Sequence, residues 1–135
     1  MNKVSTPELL FYQKLGELFY AVAASDKIVR EAEYKTLTQL VEEEWKEMDD
    51  YEDQFKSDAA YQISIVFEWF DYERMDADDC FEGFSEYYKE HINLFSEKRK
   101  KLILKTVKKI ANAFSGFNKS ELIMITNLEL LFNKK

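Results

Sequence analysis

The scarcity of helix-breaking residues limits what this chain can fold into more than any other feature. Its 135 residues contain one proline and three glycines, and no run alternates apolar and polar residues as a half-buried strand would. Apolar residues instead recur at three- and four-residue spacing, which is typical of helices with one buried face. We therefore predict an all-α fold: one compact domain over residues 1–135, built from about six or seven helices.

Two stretches of the chain resemble each other and predict two related helix hairpins. Residues 18–34 join a small-residue helix end to a turn led by Asp26 and then to a helix with Glu33 in its first turn. Residues 110–122 repeat this order, with Glu121 in the place of Glu33 and two fewer residues between the shared serine and glutamate. Such a repeat indicates two hairpins packed about a pseudo-twofold axis.

This pattern of small residues, an Asp-led turn and a glutamate in the next helix's first turn resembles the TerB-like tellurite-resistance family. The resemblance implies a compact, pseudo-symmetric helical domain with an acidic surface. It also implies a bacterial, cytoplasmic, stress-linked role without an established biochemistry. Two positions depart from the family pattern: Lys27 follows Asp26 where glycine is usual, and Arg30 opens the next helix where Ser, Thr or Pro is common.

The motif residues Asp26, Glu33 and Glu121 have two interpretations. A glutamate at the third position of a helix bonds back to the chain and suits the positive end of the helix dipole. The alternative is a site for a cation or a partner beside Asp26. We favour capping, because one helix turn accounts for these residue types completely.

Capping residues also locate the helix starts. Thr6 followed by Pro7, Asp76, Ser96 and Asn118 each stand before a segment with helical apolar spacing, where N-caps are found. Asn118 with Glu121 predicts a capping box. Gly116 is predicted to close the preceding helix in a left-handed conformation.

Two segments are apolar on nearly every side, and a helix of that kind must be buried all round. Residues 59–72 therefore predict the central buried helix. The last helix, which ends near Phe132, lies more easily at an edge, so we predict that it pairs with a second copy through Ile123 and Leu130. The competing interpretation is a core helix with those two residues modestly exposed.

Composition excludes several classes of protein. No stretch of about 18 apolar residues is present, so we expect no membrane span. The N-terminus lacks the apolar run of a signal peptide, and the single Cys80 excludes an internal disulfide. We expect a cytoplasmic protein, and its net charge of −7 argues against general nucleic-acid binding.

Acidic residues are concentrated in the middle of the chain, where residues 42–90 hold eighteen acidic against four basic groups. Asp78, Glu82 and Glu86 recur every four residues, share one helix face and could converge with Asp71. Hard cations bind several carboxylate oxygens at once. These four residues are candidate ligands for weak Ca²⁺ or Mg²⁺ binding, while a solvated face is the interpretation we favour. We expect no other cofactor.

Basic residues dominate residues 91–135, with ten basic against three acidic groups. The helix after Ser96 carries a basic ridge formed by Lys98, Lys101, Lys105 and Lys108. An anionic surface or an acidic partner would fit this ridge. We favour a solvated face that also neutralises the acidic middle of the fold, and we expect no nucleic-acid partner.

Catalytic motifs are missing from the sequence. It has one histidine, no glycine-rich phosphate loop and no nucleophile in a triad pattern. We expect a non-enzymatic interaction module of TerB-like type that binds protein partners the sequence does not identify. The alternative is a divalent-cation binder or sensor that uses the acidic surface. A third reading is an enzyme that uses a pair of buried carboxylates.

Overall fold

A computed structural model describes residues 6–49, 53–113, 116 and 118–133 of the chain. Within these ranges the protein is all-helical and no strand forms, so the all-α prediction is confirmed. The six helices are α1 (Thr6–Ala23), α2 (Glu31–Leu40), α3 (Asp53–Glu73), α4 (Ala77–Glu90), α5 (Glu97–Ala111) and α6 (Lys119–Asn133). A π-helical turn, Val41–Trp45, continues α2, and a 3₁₀ turn, Ile92–Leu94, joins α4 to α5.

The centre of the bundle is α1, which packs against α3, α4, α5 and α6. Its apolar residues recur every three or four positions and have no exposed surface: Phe11, Leu15, Leu18, Phe19 and Val22. The π-helical turn adds Trp45, whose buried Nε1 donates a hydrogen bond of 3.1 Å to the Thr106 hydroxyl on α5. This bond joins the first hairpin to the second inside the core.

The prediction that residues 59–72 form a helix buried on all sides is wrong. Ile63 and Phe67 are fully buried on one face of α3, but Ile65 and Trp69 on another face are more than half exposed. Residues 59–72 are helical as predicted, but α3 begins six residues earlier, at Asp53, and its burial differs from the prediction. Because α1 fills the centre of the bundle, α3 packs mainly against α1 and the π-helical turn.

The contact between α1 and α3 depends on Gly16. A Cβ atom at this position would lie 2.6 Å from the Ile63 carbonyl oxygen and 2.9 Å from Val66 Cβ. Backbone atoms cannot yield at such distances as a flexible side chain can. Glycine at position 16 therefore allows the two helices to approach closely and fixes which face of α3 points inward.

Most of the predicted helix starts are confirmed. Asp76 Oδ2 accepts a 3.0 Å bond from the Asp79 amide, and Ser96 Oγ accepts one of 3.2 Å from the Arg99 amide. Gly116 has the predicted left-handed conformation, with φ +88°. It does not directly close α5, however, because that helix ends at Ala111, five positions earlier.

None of the helices in the described part of the chain is both long and apolar enough to cross a membrane.

Candidate functional site

The two hairpin turns meet at Asp26. Its Oδ1 accepts a bond of 3.1 Å from the Ile28 amide, which shapes the first turn. Its Oδ2 accepts from Arg30 Nη1 at 3.0 Å and from Asn118 Nδ2 at 2.7 Å. Arg30 and Asn118 occupy the same place in the two hairpins, one before each second helix. One carboxylate therefore binds the N-terminal residue of both helices and holds the hairpins together.

Lys27 explains how the turn forms without the glycine that is usual in the TerB-like pattern. Its φ is 70°, in the left-handed region that glycine enters without steric cost. The turn therefore forms with a lysine in a backbone conformation that favours glycine.

The glutamates of the motif cap their helices. Glu33 Oε1 accepts a 2.8 Å bond from the Arg30 amide. In the second hairpin, Glu121 Oε1 accepts from the Asn118 amide at 3.2 Å, and Asn118 Oδ1 accepts from the Glu121 amide at 2.8 Å. The capping box predicted at Asn118 is therefore present, while the arginine that opens α2 has no side-chain acceptor to complete one there.

The same two glutamates form a buried carboxyl pair. Each is only 1% exposed, and the Glu33 side chain lies within hydrogen-bonding reach of Glu121. Burial, followed by this neighbouring carboxyl, raises the pKa of Glu33 to about 8. Glu121 Oε2 is buried and has no hydrogen-bond partner while both groups are ionised. A proton held by Glu33 supplies the missing donor, so the pair is expected to keep one proton at neutral pH.

The four candidate cation ligands are divided between two places. Asp71 and Asp78 line an open cleft of about 610 Å³ at the α3–α4 junction, together with Asp76. Glu82 and Glu86 lie further along α4. Among the described residues, no three His, Cys, Asp or Glu side chains are grouped so that they could hold a metal ion. Cation binding by these residues stays a prediction.

The basic ridge is partly paired with acidic side chains. Lys105 Nζ lies 2.8 Å from Glu44, and Lys108 Nζ lies 3.1 Å from Glu129. Lys98 Nζ donates to the Met48 carbonyl oxygen at 3.4 Å. Lys101 lines the shallow surface between the π-helical turn and α5 with Lys98 and Lys105. The Lys105–Glu44 pair joins the ridge to the acidic middle of the chain, while the acid that pairs with Lys108 lies on α6.

Arg99 has a structural role that the sequence analysis missed. It is nine-tenths buried within the run of lysines. Its guanidinium pairs with Glu8 at 3.1 Å and Asp49 at 2.8 Å, and its centre lies 4.1 Å from the Phe11 ring. Arg99 lies three residues before Leu102 and four before Ile103, which places it on the apolar face of α5. That spacing was the signal in the sequence for its burial.

The single cysteine and the single histidine both pack against other side chains of the fold. Cys80 is buried, and burial raises the pKa of its thiol to about 12, so it is not a thiolate at neutral pH. The His91 ring stacks on Tyr87 at 4.3 Å between centroids, and its Nδ1 lies 3.0 Å from the Tyr87 carbonyl oxygen.

The most prominent surface feature is an aromatic stripe on α3, formed by Tyr61, Ile65, Trp69 and Tyr72. These residues follow one another at spacings of four, four and three, which places them on one helix face. Their exposed fractions run from 37% for Tyr61 to 84% for Tyr72. These residues were expected in the core, because the helix over residues 59–72 was predicted to be buried on all sides. Their regular spacing was visible in the sequence, but a second apolar face on the same helix masked it.

A groove runs beside the aromatic stripe, between the start of α2 and α3. It has a volume of about 450 Å³, and its walls include Val29, Tyr34, Glu68 and Asp71. The Tyr34 hydroxyl donates to Glu68 Oε2 at 2.8 Å. Partial burial raises the pKa of Asp71, an effect that the nearby Arg74 opposes. The groove thus combines an apolar wall with the carboxyl groups of Glu31, Glu68 and Asp71 and the guanidinium of Arg30.

The surface of α6 is the second exposed apolar region. Ile123 and Leu130 are 52% and 63% exposed, seven residues apart on one face, with Thr126 and Asn127 between them. Met124, Ile125, Leu128 and Phe132 are buried on the opposite side. The helix is therefore an edge element with exposed apolar residues on its outer face, and pairing with a second copy through this face stays a prediction.

No protein-family model, curated protein or solved structure matches this chain. Its function is therefore inferred from the chemistry of its exposed residues.

Proposed function

We propose that the protein is a non-enzymatic interaction module that docks a protein partner on the aromatic stripe of α3. The observation that carries this proposal is the exposure of four large apolar side chains along one helix face. Contiguous apolar surface of this kind marks interaction sites on soluble proteins. Tyrosine and tryptophan are also the residue types most enriched among those that dominate binding energy.

The mounting of α3 supports the same function. Ile63 and Phe67 anchor its inner face, and the close approach at Gly16 fixes its rotation on α1. The Trp69 ring packs edge-on against Phe70, with 5.6 Å between centroids. A binding surface on a rigid element loses less conformational entropy when a partner docks. The stripe is thus presented in a fixed orientation.

The TerB-like assignment and its cytoplasmic, stress-linked setting belong to this proposal as well. They are supported by the pair of capped hairpins joined at Asp26. Self-association through Ile123 and Leu130 is a further part of the proposal, supported by their exposure.

Selection of ligands from a random peptide library tests the docking function without assuming a partner. We expect peptides that bind the wild-type protein and lose most of their binding to an Ile65→Ser, Trp69→Ala variant. The matched control is Ile92→Ser in the 3₁₀ turn, which removes a similarly exposed apolar side chain elsewhere. Selected peptides that bind the α3 variant as well as the wild type would contradict the proposal, as would a selection that enriches none.

A second candidate function is weak binding of divalent cations in the α3–α4 cleft. Three aspartates, Asp71, Asp76 and Asp78, face this cleft, which is the observation that favours it. Lys27 and Arg74 line it too and oppose a cation. We expect calorimetric titration with Ca²⁺ or Mg²⁺ to give dissociation constants of about 1 mM or weaker, as in the weakest calcium modules. Micromolar binding that disappears in Asp71→Asn plus Asp78→Asn would instead make cation binding the primary function.

A further inference from the structure

We propose that the partner docked on the aromatic stripe is a basic amphipathic helix of another protein. This inference rests on the proposed function and adds the chemistry of the partner. A helix that presents apolar residues at three- and four-residue spacing, flanked by lysines or arginines, matches the stripe in shape and its surroundings in charge.

The dimensions of the stripe suit a helix. Its ends, Tyr61 and Tyr72, are eleven residues apart, which corresponds to about 16 Å along α3. Three turns of a partner helix cover that distance and supply three or so apolar anchors. The exposed side chains are large and regularly spaced, so they offer ridges between which such anchors can pack.

The charges around the stripe favour a cationic partner. Glu31 and Glu42 are each bonded within α2 or its extension to a lysine, Lys35 and Lys46, and so add little net charge. Within residues 65–75, at the C-terminal end of the stripe, the acids are Glu68, Asp71 and Glu73 and the one basic residue is Arg74. The rim of the stripe is therefore net negative.

The groove beside the stripe provides a specific place for a lysine or arginine. The aliphatic part of such a side chain would lie along Val29 and Tyr34, and its charged end would reach Glu68 and Asp71. A cation there would also favour the ionised form of Asp71, which its present surroundings disfavour. Arg30, at the end of this groove, already pairs with Asp26.

The other occupants fit less well. Two copies of this chain facing each other through α3 would bring two acidic rims together. An anionic membrane surface or a nucleic acid would meet the same repulsion. The basic ridge of a second copy has Lys105 and Lys108 already paired with acids of its own chain, and it offers no apolar anchors.

Two synthetic peptides of about 18 residues test the proposal. Both carry the same leucine face at helical spacing, and they differ only in having lysines or glutamates on the flanks. Trp69 is exposed and Trp45 is fully buried, so a blue shift of the tryptophan emission reports docking at the stripe. Titration calorimetry on the full chain gives the affinity. We expect the lysine peptide to bind with a micromolar dissociation constant and the glutamate peptide to bind at least about tenfold more weakly.

Variants locate the binding. Ile65→Ser should weaken the binding of the lysine peptide by about tenfold or more, as loss of a central anchor does. Ile92→Ser, at a similarly exposed position in the 3₁₀ turn, should leave the affinity unchanged. Asp71→Asn with Glu73→Gln should weaken it and reduce its dependence on salt. Equal binding of both peptides, or binding that survives Ile65→Ser, would overturn the inference.

The peptide pair and the library selection together distinguish the docking function of the stripe from the proposed chemistry of its partner. If neither peptide binds while the library yields ligands that depend on Ile65 and Trp69, the partner chemistry is wrong and the docking function stands. If the library also yields no stripe-dependent ligand, both fail.

Discussion

At the scale of single residues, the buried carboxyl pair makes this protein sensitive to pH. Glu33 and Glu121 meet where the two hairpins cross, and Arg30 and Asp26 are the charged groups beside them. The pKa of Glu33 is raised mainly because burial disfavours its charge. In the unfolded chain the same group has an ordinary pKa of about 4.3. The folded state therefore holds a proton that the unfolded state releases.

The raised pKa of Glu33 makes the folded protein less stable at higher pH. Between about pH 4.3 and 8 the folded chain binds more protons than the unfolded chain, so stability falls as pH rises through this window. We expect urea unfolding to give a free energy at least about 1 kcal/mol lower at pH 8.5 than at pH 5.5. A tenfold change in proton affinity corresponds to about 1.4 kcal/mol. Glu33→Gln should flatten the dependence, because its amide stays neutral and can still accept from Arg30. The control is Glu31→Gln, at an exposed position; equal slopes in both variants would contradict this origin.

Asn118 caps α6 and also binds Asp26, and two substitutions distinguish these roles. Asn118→Ala removes both and should lower the free energy of unfolding by about 1–2 kcal/mol. Asn118→Asp keeps the capping oxygen but loses the donor to Asp26 and adds a like charge. We expect it to be destabilised too, by a smaller amount, in denaturant unfolding. A variant that keeps wild-type stability yet loses a binding activity would show that Asn118 serves a site and not a cap.

At the scale of helices, local signals in the sequence were sufficient to predict where helices begin. They were not sufficient to predict which helix faces are buried. Asp76, Ser96 and Asn118 cap the helices that they were predicted to cap, since capping depends on a few neighbouring residues. The burial of α3 was misjudged because its sequence is apolar on two faces, and spacing alone cannot say which face a neighbour covers. The burial of Arg99 was missed for the same reason, because its partners Glu8 and Asp49 are far away in sequence.

Gly16 offers a test of the α1–α3 contact. Gly16→Ala should destabilise the protein by about 1–3 kcal/mol, because its methyl group would overlap the backbone of α3. Gly83→Ala on α4 is the matched control. Its methyl group would meet only the end of the Glu17 side chain, at 3.0 Å, and it should be neutral or stabilising by up to about 1 kcal/mol through helix propensity. Equal melting temperatures for both variants would mean that the helices separate at little cost.

At the scale of the whole molecule, the exposed surface is divided into regions of different character. The aromatic stripe lies near acids of α3, Lys105 and Lys108 of α5 pair with acids of neighbouring elements, and α6 exposes Ile123 and Leu130. The acidic excess of residues 42–90 and the basic excess of residues 91–135 are visible in the sequence, because counting charges requires no knowledge of the fold. It could not locate the stripe, which exists only because α1 and not α3 occupies the centre.

Self-association through α6 is the prediction that belongs to this scale. We expect light scattering after size exclusion at micromolar concentration to give the mass of a dimer, because Ile123 and Leu130 present an apolar face that a second copy can cover. Ile123→Glu and Leu130→Glu should each yield a monomer. A monomeric wild type contradicts the prediction, and a dimer that survives both substitutions has its interface elsewhere.

The position of α1 at the centre has a consequence for synthesis on the ribosome. α1 leaves the exit tunnel before every helix that covers it, and its burial is complete only when α6 has followed. About 110 residues separate the end of α1 from the end of α6, which takes roughly 5–20 s at about 5–20 residues per second. During that interval the most apolar helix of the bundle is the one with the fewest partners, so the nascent chain is expected to be a substrate for chaperones that hold exposed apolar helices.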